Sequence, residues 1–156
     1  NGTHLLDLLR FWFGELNIET ARSTSWAGAS NQNINLMMCL SNGASVTLHA
    51  LNAADYSLFE IDIIGSQGRI RLTDSGNRIA FHKVRNHSLF TGYRELEPCP
   101  HVMENCLQDI MHHVVEASCD LLDGVPIPKS RYCSGEEALA ILELAEKALR
   151  IAGNKK

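Results

Sequence analysis

A chain of 156 residues is long enough to bury one continuous core without disulfide or metal support, and short enough to form a single domain. Its 45% apolar and 21% charged residues are those of an ordinary soluble protein, and even the apolar run from Leu139 to Leu149 is broken by Glu or Lys every few positions, which excludes a membrane-spanning helix. A formal charge of -4 with intermixed signs offers no clustered Lys and Arg, which argues against nucleic acid as a partner. The five cysteines, Cys39, Cys99, Cys106, Cys119 and Cys133, are odd in number and lack CxxC spacing. They read as reduced thiols of a cytoplasmic protein. The opening Asn1-Gly2-Thr3-His4 has no basic segment leading into an apolar signal core, and its abrupt start reads as a cut in a longer chain.

In chain order, Leu5, Leu8, Leu9 and Trp12 recur at helical spacing up to Gly14, which predicts a short buried helix with a left-handed cap. Alternation follows: Ile34, Leu36, Met38 and Leu40 share one face, and after the turn signal Asn42-Gly43 so do Val46, Leu48 and Ala50. The opposite face of this hairpin carries Met37, Cys39, Thr47, His49 and Leu51, a semi-apolar surface. A second hairpin runs from Phe59 to Leu72 around Gly65-Ser66-Gln67-Gly68. Pairing Ile64 with Arg69 sets Ile63 against Ile70, Asp62 against Arg71 and Ile61 against Leu72. Asp74-Ser75-Gly76 turns into a strand from Arg78 to Val84, with a weaker one from Tyr93 to Leu96. From Met103 the period is helical again, with Leu107, Ile110, Met111, Val114, Ser118 and Leu121 on one stripe ending at Asp123-Gly124. After Pro126 and Pro128, Ser134 and Glu137 form a capping box for a last helix that turns Ala138, Ile141, Leu142, Ala145 and Ala148 inward. The expected architecture is an α+β two-layer sandwich, an open and mainly antiparallel sheet with helices packed on one face.

Three stretches narrow the reading: Gly2-Thr3-His4-Leu5-Leu6-Asp7, then Phe59 to Ile70 around the glycine-flanked turn, and Asp123-Gly124 with Pro126 and Ser134-Gly135 before an alanine-rich helix. Together they resemble the carboxy-terminal domain of the Gfo/Idh/MocA oxidoreductases, the family of glucose-fructose oxidoreductase and inositol dehydrogenases, over essentially the whole chain. The resemblance implies that residues 1–156 are a substrate-binding and oligomerisation domain, with an amino-terminal Rossmann domain that holds NAD or NADP lying outside this chain. It further implies a sugar, nucleotide-sugar or polyol substrate, and a homo-oligomer formed through the sheet. Gly65-Ser66-Gln67-Gly68 joins two antiparallel strands and has no following helix to receive a pyrophosphate, so this chain alone is expected to bind no dinucleotide and to be inactive.

His4 and Asp7 lie three apart at a helix start and emerge on neighbouring sides of one turn. Oxidising a secondary alcohol requires removal of its hydroxyl proton, a task suited to imidazole. By resemblance His4 takes the place of the histidine of the family's proton relay, beside a lysine from the first domain, and Asp7 lies near substrate hydroxyls. A further family aspartate four positions before the histidine falls just ahead of Asn1. Judged without the family, His4 reads as an exposed or capping residue rather than a catalytic one, and Asp7 as a first-turn acid meeting the helix dipole. No metal is assigned: His112-His113 point about 100° apart on a helix and read as a solvated face, and Cys99, His101 and Cys106 lack a second ligand pair. Arg22, Tyr93 and Arg94 carry no assignment. Two rival readings remain, a non-catalytic oligomerisation module using the open sheet face and a small-ligand binding module without chemistry.

Overall fold

The described residues form three α-helices and two open antiparallel sheets, the α+β class anticipated from the sequence. In order these are α1 (Gly2–Phe13), β1 (Leu16–Thr24), β2 (Asn33–Leu40), β3 (Ser45–Leu48), β4 (Ile61–Gly65), β5 (Gly68–Thr73), β6 (Arg78–Asn86), β7 (Arg94–Met103), α2 (Ile110–Leu122) and α3 (Gly135–Gly153). The computed structural model describes residues 2–24, 33–128 and 133–153, divided into one unit of Asn1–Ser57 with Pro128–Lys156 and another of Leu58–Ile127.

In the first unit α1 ends as anticipated: the Gly14 N–H donates to the Arg10 carbonyl at 2.8 Å, and Gly14 adopts a φ of 82°. Its buried residues are Leu6 and Leu9, so the inward stripe is rotated away from the anticipated one and Trp12 is exposed. β2 and β3 form the anticipated hairpin, with Leu36, Met38 and Leu40 buried and Met37 exposed. The Asn42 side chain accepts from the Ala44 N–H at 3.0 Å and Gly43 takes a φ of 83°, which closes the turn. β3 stops at Leu48, short of Leu51, and Asn35 continues the pairing from its side chain by accepting from the Ala50 N–H at 2.7 Å. β1, which the sequence reading does not contain, pairs along β2 with a slip between Ile18 and Thr20. Leu16 and Ile18 face inward before the slip, and Ala21 is the buried residue after it. One inserted residue inverts the parity of a strand, so no single alternation runs through 16–24.

α3 covers this sheet. It opens on the anticipated capping box: the Glu137 N–H donates to Ser134 Oγ at 3.2 Å, and the Ser134 N–H donates to Glu137 Oε2 at 2.8 Å. Ile141, Ala148 and Ala152 are buried, with Leu144 and Ala145 half-buried, while α3 packs on β1, β2 and α1. Ala138 and Leu142, anticipated to face inward, are exposed. At the middle of the layer Met38 is 0% exposed.

In the second unit the sheet order is β4-β5-β6-β7. The β4–β5 register is the anticipated one, Ile61 with Leu72, Asp62 with Arg71, Ile63 with Ile70 and Ile64 with Arg69. Gly65 pairs with Gly68, leaving Ser66-Gln67 as a two-residue turn. A Cβ on Gly68 would stand 2.1 Å from the His82 carbonyl oxygen, so only glycine lets β6 approach here. Although Asp62 lies opposite Arg71, it accepts both its hydrogen bonds from the diagonal neighbour Arg69, from Nε at 2.7 Å and from Nη2. Those bonds hold the Asp62 carboxyl below the ordinary carboxylate range, against partial desolvation.

β7 extends well past the anticipated Tyr93 to Leu96. Pro98 and Pro100 disguise it, but an edge strand tolerates residues that cannot donate to a ladder. Between Ala80 and His82 the β6–β7 register jumps: Ala80 meets Val102 and His82 meets Pro98, so Cys99-Pro100-His101 oppose Phe81 alone. α2 begins at Ile110 rather than at Met103, which belongs to β7, and ends before Gly124, whose φ is 71°. Its anticipated inward stripe of Leu107, Ile110, Met111, Val114 and Leu121 is exposed, and Ala117 is the helix's buried residue. The pattern named the apolar face correctly as a pattern, but α2 has no extensive packing against any described strand of its unit to cover that face. No helix among the described residues is long and apolar enough to cross a membrane.

Candidate functional site

The two residues singled out for chemistry sit on α1, and the structure places them differently. His4, in the first turn, is exposed. Asp7, one turn on, is half-buried, and its Oδ1 accepts a long hydrogen bond from the Cys133 thiol at 3.9 Å, directly before the capping box of α3. Packing of α1 against α3 therefore brings Asp7, Cys133, Ser134 and Glu137 to one end of the layer, with Arg10 a turn below.

Burial pushes the Cys133 thiol above its ordinary pKa, and the carboxylates of Asp7 and Glu137 push in the same direction. Cys133 is exposed, and its thiol is a weak donor toward Asp7. Arg10 donates from Nη2 to Glu15 Oε1 at 2.6 Å; this bond, with the fields of Glu15, Glu137 and Asp7, raises its pKa further. The guanidinium is a fixed positive charge beside the acids of this end. What the arrangement offers a ligand is an accessible imidazole at His4 and, on the same helix, a carboxylate whose orientation is set by contact with a second helix.

Sequence reasoning missed Cys133: it stands 126 positions from Asp7, and nothing local marks the pair. A cavity of about 470 Å³ in this unit lies along the far end of α1 and the middle of α3, where Arg10, Glu15, Glu143, Lys147 and Arg150 line it, and it does not reach His4 or Asp7. The remaining sequence candidates are dispersed. His112 and His113 are both exposed and both flank Glu116, at 3.3 and 3.6 Å. Cys99 and His101 lie in the irregular part of β7, Cys106 is exposed beyond it, and no metal-binding group of three His, Cys, Asp or Glu occurs among the described residues. Arg22 is on β1, Arg94 begins β7, and Tyr93 meets the ring of Phe90 edge-on at 6.2 Å. All five cysteines carry free thiols.

The glycine pair of the second hairpin is not a phosphate-binding turn. Gly65 and Gly68 close a hairpin, and Gly68 is required by the approach of the β6 backbone rather than by a phosphate.

Antiparallel sheets with helices, opened by a Gly-x-His-x-x-Asp helix, define a domain of the α+β class. The chain belongs to the Gfo/Idh/MocA oxidoreductase family: the family described as "Oxidoreductase family, C-terminal alpha/beta domain" matches residues 1–156. No curated protein and no solved structure matches it.

Proposed function

We propose that this chain is the substrate-side domain of an NAD- or NADP-dependent oxidoreductase acting on a sugar, nucleotide-sugar or polyol, with the cofactor held by a dinucleotide-binding domain outside these 156 residues. The observation that carries the reading is the family match over the full chain together with an exposed His4 one turn from Asp7 on α1. In this proposal the imidazole of His4 accepts the hydroxyl proton of the substrate alcohol, and returns it in the reverse direction. Asp7 accepts hydrogen bonds from neighbouring substrate hydroxyls, with the α1–α3 contact fixing where its carboxylate stands. The chain functions as a cytoplasmic homo-oligomer, for which the exposed Met37 and Thr47 of the first sheet, with the exposed His49 and Leu51 just beyond β3, supply a semi-apolar surface.

The test is to titrate NADH and NADPH into the protein carrying its upstream sequence, following cofactor fluorescence, and then to compare wild type with His4→Ala on a panel of sugars and polyols. The expected result is cofactor binding in both proteins and a loss of kcat of roughly 10²–10⁴-fold in His4→Ala, the usual range for a general base. Failure of the protein to bind either cofactor, or an unchanged kcat in His4→Ala, overturns the reading.

A further inference from the structure

We propose that the four-stranded sheet carries an oxyanion-binding pocket at the break in the β6–β7 ladder, where Arg71, Thr73, Arg78 and His82 receive a phosphate or carboxylate group. The inference goes beyond the oxidoreductase reading and does not depend on it, because these residues belong to the second unit while His4 and Asp7 belong to the first.

The pocket follows from the strand irregularity. β-bulges re-aim side chains and open a ladder locally. Here three residues of β7 oppose one of β6, and a cavity of about 200 Å³ opens between Arg71 and Thr73 on β5, Arg78 and His82 on β6, and Cys99 on β7. That volume is below the roughly 300–1,000 Å³ of sites that enclose a drug-sized molecule, so it suits an anionic group rather than a whole sugar.

The lining chemistry selects the sign of the ligand. Arg71, Thr73, Arg78, His82 and Cys99 line the cavity beside apolar residues of β6 and β7, and no carboxylate lines it. Two acids lie close by: Asp62 accepts from Arg69 and also feels the charge of Arg71, and Glu104 accepts from Nε of Arg78 at 3.4 Å, so Arg78 joins the pocket as one half of an exposed ion pair and Arg71 is the guanidinium left to bind an added anion. Arg71 makes no hydrogen bond to a carboxylate among the described residues, although register sets it opposite Asp62. His82 Nδ1 is buried and has no hydrogen-bond partner among the described residues, a condition that native proteins rarely leave unanswered. A planar or tetrahedral oxyanion satisfies the guanidinium fork, and its charge stands beside the His82 ring and the Thr73 hydroxyl.

Nitrogen-15 NMR of the backbone amides and of the arginine and histidine side chains tests this, with inorganic phosphate and acetate titrated at constant ionic strength against chloride. The expected result is saturable shifts at Arg71, Thr73 and His82 with at least one of the two anions, and none with chloride. Arg71→Gln, a change at an exposed position, is expected to weaken that binding roughly tenfold or more without moving the signals of β4. A hexose monophosphate that binds more tightly than inorganic phosphate identifies an ester as the ligand, and equal binding identifies the free anion. Shifts that do not saturate, that chloride reproduces, or that persist unchanged in Arg71→Gln overturn the proposal.

Discussion

In the first unit, Leu6, Leu9, Leu16, Ala21, Leu36, Met38, Leu40, Ile141, Ala148 and Ala152 form one buried cluster, whereas the second unit buries Leu72 on its sheet and Ala117 on α2. What the second unit has instead is a charged sheet surface: Arg69 with Asp62, Lys83 with Glu97, and Arg85 with both Glu95 and Glu97. Exposed ion pairs contribute little, commonly under about 1 kcal/mol each, while a fully buried aliphatic side chain contributes roughly 1.5–3 kcal/mol. The two units therefore rest on different physics, the first on a packed layer and the second on its ladders.

This difference is open to direct attack. The largest effect is expected from Met38→Ala in the packed layer, a loss of about 2–5 kcal/mol in urea unfolding; a smaller loss would mean that the layer collapses around the cavity. Gly68→Ala forces β5 and β6 apart, and about 1–3 kcal/mol is expected to be lost, with hydrogen exchange accelerating in β4 to β7 before β1 to β3. Equal acceleration in both units would show that they unfold as one. Ser134→Ala removes a single cap bond from α3 and is expected to cost about 1 kcal/mol, read as faster exchange of the first-turn amides of that helix.

The smallest effect belongs to Asp62→Asn. The folded state lowers the pKa of this carboxyl, so its contribution is present above the unfolded value and is lost as pH falls through the folded one. Unfolding midpoints of wild type and variant are expected to differ slightly at neutral pH and to converge on acidification. They should converge in concentrated salt as well, because both partners are partly exposed.

What was legible in the sequence follows the same division of causes. The β4–β5 register was readable because Ile61, Ile63, Ile70 and Leu72 alternate strictly with charged residues and glycine fixes the turn. The capping box was readable because its spacing is local. β1 was not, since the slip after Ile18 exchanges the two faces midway, and β7 was not, since prolines at an edge look like the end of a strand. α2 shows that an apolar stripe names a face without naming its cover. At the candidate site His4 and Asp7 could be picked out from their spacing and the family resemblance, but the contact with Cys133 depends on how α1 meets α3, and no sequence window contains both.

The wholly enclosed Met38 has a neighbour on the opposite face, Met37, that is 50% exposed, and Met103 and Met111 are exposed as well. Peroxide converts accessible thioethers to sulfoxides. The chain thus carries its own chemical clock: three sulfurs register oxidant at once, and the fourth registers it only when the packed layer opens. The ratio of modified Met38 to modified Met37 in a single peptide would read the opening frequency of the first unit without any added label.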